Sequence, residues 1–201
     1  MSLTSSLLES TPSEALKIRE KMFNILTSYS ATAWETDQLM RMEIERFKEY
    51  TGIEAENISA TSPTALKSLE GIDTLLMYEK SSESVNANLV RYGCLHSIKK
   101  AGKNLVFRFE EKGKFLRSVI EEFADRLEIH SFEFNRTHWA VKDGGIPKAM
   151  RAKLMPSYDI VFSFAGEDRK YVKQVAAYLR AKAVKIFYDE YEQAHLWGKD
   201  L

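Results

Sequence analysis

The run Tyr158-Asp159-Ile160-Val161-Phe162-Ser163-Phe164 constrains this chain more than any other stretch. It is apolar without alternation, the pattern of a strand buried on both faces of a parallel sheet. Ala165-Gly166-Glu167-Asp168 breaks the run, with a glycine suited to a tight turn and Asp168 placed to cap a helix and face its positive end. In the helix predicted to follow, Val172, Val175, Ala176 and Leu179 fall at i, i+3, i+4 and i+7, while Arg169, Lys170, Lys173, Arg180 and Lys182 point elsewhere. A second apolar run, Ala183 to Tyr188, comes at the separation that a right-handed parallel crossover through a helix requires. Ligands of such open sheets sit beyond the carboxyl ends of the strands, which puts Phe164 to Asp168 and Asp189-Glu190 on one rim.

Taken with Leu196-Trp197-Gly198-Lys199-Asp200-Leu201, these blocks resemble, in order, the start of a bacterial Toll/interleukin-1 receptor (TIR) domain. The resemblance implies a flavodoxin-like domain that self-associates and, in many bacterial members, cleaves NAD between nicotinamide and ribose. It further implies that Phe164 and Ala165, at the end of the first strand, line an NAD pocket with Trp197, in a loop that reaches towards a neighbouring copy. These residues bind rather than catalyse, and NAD is a substrate rather than a permanently held cofactor. Asp189-Glu190 belongs to a loop between copies. The family's catalytic glutamate lies on a later helix, so the expectation is that it falls beyond Leu201 and that no catalytic residue is present here. Without the resemblance, the same residues also suit a strand-helix-strand piece of any doubly wound fold.

Length and composition allow two units: 201 residues, 44% of them hydrophobic, can bury a core in each. No apolar run approaches the roughly 18 to 20 residues of a membrane span, and Met1-Ser2-Leu3-Thr4-Ser5-Ser6 lacks the features of a signal peptide. A soluble, cytoplasmic protein is expected. Cys94 is the one cysteine, and His96, His130, His138 and His195 are scattered, so no spacing such as CxxC or HExxH marks a metal site. No metal is expected, and Cys94 reads most simply as a small core residue. The 29 basic and 29 acidic groups are unevenly spread: residues 1–90 carry 8 and 14, residues 91–157 carry 14 and 8. Opposite charge of this kind fits packing between the two parts or between copies, and alternatively an anionic partner for the second part.

Ahead of the rim, the pattern predicts an α+β amino-terminal domain over 1–147, a basic linker over 148–157 closed by Pro156, and an incomplete α/β flavodoxin-like (TIR) domain over 158–201. Thr11-Pro12-Ser13-Glu14 is a capping box, and Ala15, Ile18, Met22, Ile25 and Leu26 mark a helix ending near Thr27. A second helix is predicted from Thr36 or Asp37 through Met40, Ile44 and Phe47 to Gly52, and a short third from Ser62-Pro63 through Leu69 to Gly71. Ile72 to Tyr78 fits strand or helix. Leu89 to Ile98 and Leu105 to Glu110 read as a hairpin around Lys100 to Asn104, followed by a helix over Lys114 to Leu127. Phe132 to Lys142 reads as strand at its start and as helix across Phe132, Trp139 and Ala140, with helix preferred. Two helices joined so closely outline a helix-turn-helix over 114–142. Arg136, His138 and Lys142 could reach phosphate or bases there. The stretch Asn135 to Asp143 is also a candidate active site, but no nucleophile, second histidine or paired acid stands at a recognisable spacing from it, which favours a structural role.

Three functions remain open on these grounds. They are a TIR protein of bacterial signalling or anti-phage defence whose complete form hydrolyses NAD, a non-enzymatic TIR adaptor acting by self-association, and a DNA-binding regulator through residues 114–142. Nucleic acid is the least favoured partner, because Phe132 and Trp139 read as core and Glu133 and Asp143 offset the basic groups.

Overall fold

A computed structural model describes residues 22–35, 39–55, 58–155, 158–182 and 184–189. The chain forms two compact units that divide between Met155 and Pro156. The first is built on strands β1 (Met22–Ser28), β2 (Met40–Glu43), β3 (Asp73–Tyr78), β4 (Leu89–Ala101), β5 (Asn104–Leu116) and β6 (His138–Asp143), in the sheet order β2-β5-β4-β3-β1-β6. β1 and β3 run parallel, and every other neighbouring pair is antiparallel. Three short helices, α1 (Pro63–Lys67), α2 (Arg117–Glu122) and α3 (Lys148–Arg151), complete the described elements of this unit with single 3-10 turns.

The sheet has a core on each face. Met22, Leu26, Leu76, Leu105, Phe107 and Trp139 pack on one side, and Phe23, Ile25, Leu75, Val90, Phe115 and Ala140 on the other. β1 is therefore buried at every position. A strand covered on both faces shows no period-two alternation, so its apolar residues also satisfy a helical stripe. That is why the helix predicted to end near Thr27 is, from Met22 onward, the central strand; Thr11 to Lys21 lie outside the described residues. The helix predicted through Met40, Ile44 and Phe47 is likewise replaced, by β2 with alternating burial and a 3-10 turn at Ile44–Arg46.

Where local chemistry dictates the backbone, expectation and structure agree. The Ser62 hydroxyl accepts from the Ala65 amide at 3.2 Å with Pro63 opening the helix, Gly71 takes the left-handed conformation at φ 71°, and Gly102 turns the β4-β5 hairpin at φ 60°. Ile72 to Tyr78 resolves as strand β3. The helix predicted over Lys114 to Leu127 begins three residues later and is short, because Phe115 stays in the ladder opposite Val90 and is fully buried.

The region 114–142 holds no helix-turn-helix. Ser131–Asn135 is a 3-10 turn and His138–Asp143 is strand β6, antiparallel to β1. Along a strand, His138, Ala140 and Lys142 share a face, and Glu133 meets the two polar members of that row. Glu133, His138 and Lys142 are all buried. One carboxylate oxygen of Glu133 accepts from the His130 amide at 2.8 Å and from Lys142 Nζ at 3.0 Å, and Lys142 also donates to the Glu128 carbonyl at 2.8 Å. The other oxygen stands 3.3 Å from His138 Nε2, within ion-pair distance but without the alignment of a hydrogen bond. His138 Nδ1 lies 2.7 Å from the Arg136 carbonyl, which can only accept, so that nitrogen carries a proton. The cluster ties the 3-10 turn to the sheet.

Burial works against charge on Glu133, but His138, the His130 amide and Lys142 together hold its carboxyl below the ordinary value of 4.5. With the folded value the lower one, its contribution to stability is complete above the unfolded value and fades as pH falls through the folded value. Glu133→Gln is expected to lower the unfolding free energy at neutral pH by about 3–5 kcal/mol, since it strands a buried ammonium group. The gap from the parent chain should close as the pH drops below about 4. Denaturant titrations of both chains across this range check it, and a gap that does not change with pH would contradict the assignment.

Candidate functional site

In the second unit, β7 (Ile160–Val161) and β8 (Ile186–Phe187) pair in parallel, joined through a 3-10 turn at Gly166–Asp168 and helix α4 (Arg169–Ala181). The ladder extends past the named strands: the Asp159 and Ile160 amides donate to the Lys185 carbonyl and the Phe162 amide to that of Phe187. Val172 and Ala176 of α4 are buried with Ile186 and Tyr188, and Leu179 packs partly against them, as the i, i+4, i+7 stripe requires. This is the strand-helix-strand order expected, in an α/β arrangement compatible with a flavodoxin-like domain.

The rim lies where β7 and β8 end. Phe164 is half-buried and stacks on the fully buried Tyr188, with ring centroids 5.8 Å apart and planes at 28°. The Arg169 guanidinium lies 5.2 Å from the Phe164 ring centre and forks onto Asp189, Nη1 to Oδ1 at 3.1 Å and Nη2 to Oδ2 at 2.9 Å. This pairing holds the Arg169 guanidinium above its ordinary value through the hydrogen bond and charge of Asp189. Ala165 is exposed beside Phe164. Two of the three residues assigned to an NAD pocket, Phe164 and Ala165, thus stand together at the strand end; Trp197 and Glu190 lie outside the described residues. Asp168 occupies the position before α4, but its side chain makes no capping hydrogen bond, and its backbone is already helical. The 3-10 turn of Gly166–Asp168 leads straight into the helix, which leaves the side chain without the extended geometry a cap needs. Arg169, which the stripe assigns to solvent, is the residue that joins the start of the helix to the end of the second strand.

No protein-family profile matches the chain, and no solved structure matches it. Over 44 residues the chain is 59% identical to the 3' cyclic ADP-D-ribose synthase AaTIR of Aquimarina amphilecti, a match that covers 22% of this chain and 14% of that protein. The chain therefore carries a segment closely similar to part of a TIR-domain protein. Its matched length equals that of the stretch from Tyr158 to Leu201. No described helix is long and apolar enough to cross a membrane.

The first unit contributes two further constellations. A cavity of about 360 Å³ is lined by Trp34, Glu35, Tyr78, Asn86, Arg91 and Glu111 among others. The Glu35 carboxylate there accepts from Asn86 Nδ2 at 3.1 Å, the Tyr78 hydroxyl at 2.9 Å and the Ser84 hydroxyl at 3.3 Å, and these donors, Asn86 first, hold its carboxyl below the ordinary value. Sequence pattern could not find this site, since its members come from separate loops and strands. On the sheet, Cys94, His96 and Glu110 bring one sulfur, one ring nitrogen and one carboxylate oxygen within 4.8 Å of one another.

At the rim, the rings and the ion pair have different weights. Asp189→Asn should leave the stability of the second unit almost unchanged, because the pair is open to water on both sides. Phe164→Ala should cost about 2 kcal/mol, roughly half the loss for a fully buried phenylalanine. Amide exchange at Ile160 and Phe162 reads both, and equal effects would show that charge rather than ring packing holds the rim.

Proposed function

We propose that this chain is part of a TIR-type protein of bacterial signalling or anti-phage defence, whose complete form cleaves NAD at the nicotinamide-ribose bond. The observation that carries the reading is the 59% identity over 44 residues to a cyclic ADP-ribose synthase. The name of that relative, a synthase of a cyclic ADP-ribose, supports a substrate of the NAD class. Bond cleavage of this kind passes through an oxocarbenium-like state, which a positioned carboxylate stabilises. The rim carboxylate Asp189 is engaged by Arg169 on both oxygens, which suits it to a structural task rather than to that one.

In this reading Phe164, Ala165 and Trp197 contact the dinucleotide, and self-association through the TIR segment completes the pocket. The first unit senses the trigger or assembles the protein in the cytoplasm.

NAD consumption measured on the 201-residue chain, beside a chain continued through the rest of a TIR domain, tests the proposal. The short chain is expected to leave NAD intact and the longer one to release nicotinamide. Turnover by the short chain would overturn the assignment of catalysis to a carboxylate outside it. An inactive longer chain that still self-associates would instead support the adaptor function.

A further inference from the structure

Cys94 and His96 stand two residues apart on β4 and so point to the same face, while Glu110 of β5 is the direct cross-strand partner of Cys94. The Cys94 Sγ to His96 Nε2 distance is 3.2 Å, His96 Nε2 to Glu110 Oε2 is 2.9 Å, and Cys94 Sγ to Glu110 Oε2 is 3.7 Å. A tetrahedral zinc-type ion with bonds of roughly 2.0 Å to nitrogen and oxygen and 2.3 Å to sulfur needs ligand-to-ligand separations of about 3.3 to 3.6 Å. The three atoms already lie close to those separations.

The backbone around them is shaped for this. The β4-β5 register shifts twice, between Tyr92 and Gly93 and between His96 and Lys99, so that the triad sits on a short regular stretch between two bulges. Bulges re-aim side chains and recur beside functional sites. At the first, Gly93 approaches β5 so closely that a Cβ would fall 1.9 Å from the Glu110 carbonyl oxygen, and only glycine permits that approach. At the second, Ser97, next to His96, holds a left-handed φ of 55°. This conformation is unfavourable for a serine and is fixed from outside: the Ile98 amide donates to Glu70 Oε1 at 2.7 Å, and the Gly71 amide to the Leu95 carbonyl at 2.9 Å.

We propose that Cys94, His96 and Glu110 form a binding site for a divalent zinc-type cation, with a fourth position open to water or to an exogenous ligand. The mixture of thiolate, imidazole and carboxylate selects a borderline ion such as zinc over magnesium or calcium, which take oxygen ligands. Exposure supports the open position: Cys94 is buried at the base, while the side chains of His96 and Glu110 are 43% and 63% exposed.

The test is cobalt and zinc titration of the full chain after chelator treatment. Cobalt, which takes zinc sites, is expected to bind in one equivalent with a sulfur-to-cobalt charge-transfer band, and zinc to displace it. Glu110→Gln and His96→Ala, both on the exposed side, should each weaken binding by about tenfold or more, and Cys94→Ser should remove the band. His130→Ala, remote from the triad, should leave the titration unchanged. Absence of the band in the parent chain would overturn the proposal, as would binding that survives His96→Ala and Glu110→Gln in folded protein, leaving the triad a hydrogen-bonded patch.

Discussion

The first unit depends on how one large ring is satisfied in its interior. Trp139 is fully buried at the junction of β6 and the core, with Phe47 and Phe107 edge-on to it at centroid distances of 5.1 and 5.3 Å. Its indole N–H must find an acceptor away from water, and Asn24 on β1 supplies one at 3.1 Å. The amide of Asn24 in turn donates to the Leu69 carbonyl at 3.2 Å and to the Thr74 hydroxyl at 3.1 Å. One buried polar chain therefore fixes β6, β1, β3 and the end of the segment after α1 in a single register. A one-residue slip of β1 would turn Asn24 to the other face and leave the indole unsatisfied.

The same two-sided burial explains what could be read from the residues and what could not. Ser62-Pro63, Gly71 and Gly102 announce their conformations because the cause is local: a hydroxyl cap, a fixed φ, a left-handed turn. The hairpin β4-β5 follows from alternation at Leu105, Phe107 and Phe109, which pack on one face. β1 and β6 mislead for the opposite reason. Apolar or paired polar side chains fill both faces, and the residual spacing of Phe132, Trp139 and Ala140 imitates a helix while the strand is held by partners far away in sequence.

Sites divide along the same line. The position of Phe164 and Ala165 on the rim is legible because a strand followed by a glycine turn places them there by topology; the NAD contact assigned to them comes from the resemblance alone. Arg169 and Asp189 are separated by a whole helix, and their pairing depends on both strands ending at the same level. Glu35 with Tyr78, Ser84 and Asn86, and Glu110 with Cys94 and His96, depend on registers and bulges that no short-range pattern encodes. Cys94 and His96 stand two residues apart on β4 but match no metal-ligand spacing recognised in the sequence, and Glu110 comes from the next strand.

β6 ends the sheet, yet its outer side is already taken. Phe47 bridges Trp139 in parallel, the Lys48 and Gly52 amides donate to the Trp139 and Val141 carbonyls at 2.8 Å each, and the Thr51 hydroxyl accepts from the Val141 amide. To follow the strand this closely the segment adopts left-handed φ at Lys48 and Tyr50, 65° and 58°. The backbone groups that would template an incoming strand are thus consumed within the chain, at the cost of two strained residues. Growth of this sheet from one molecule into the next by lengthening the β6 edge is closed at that border.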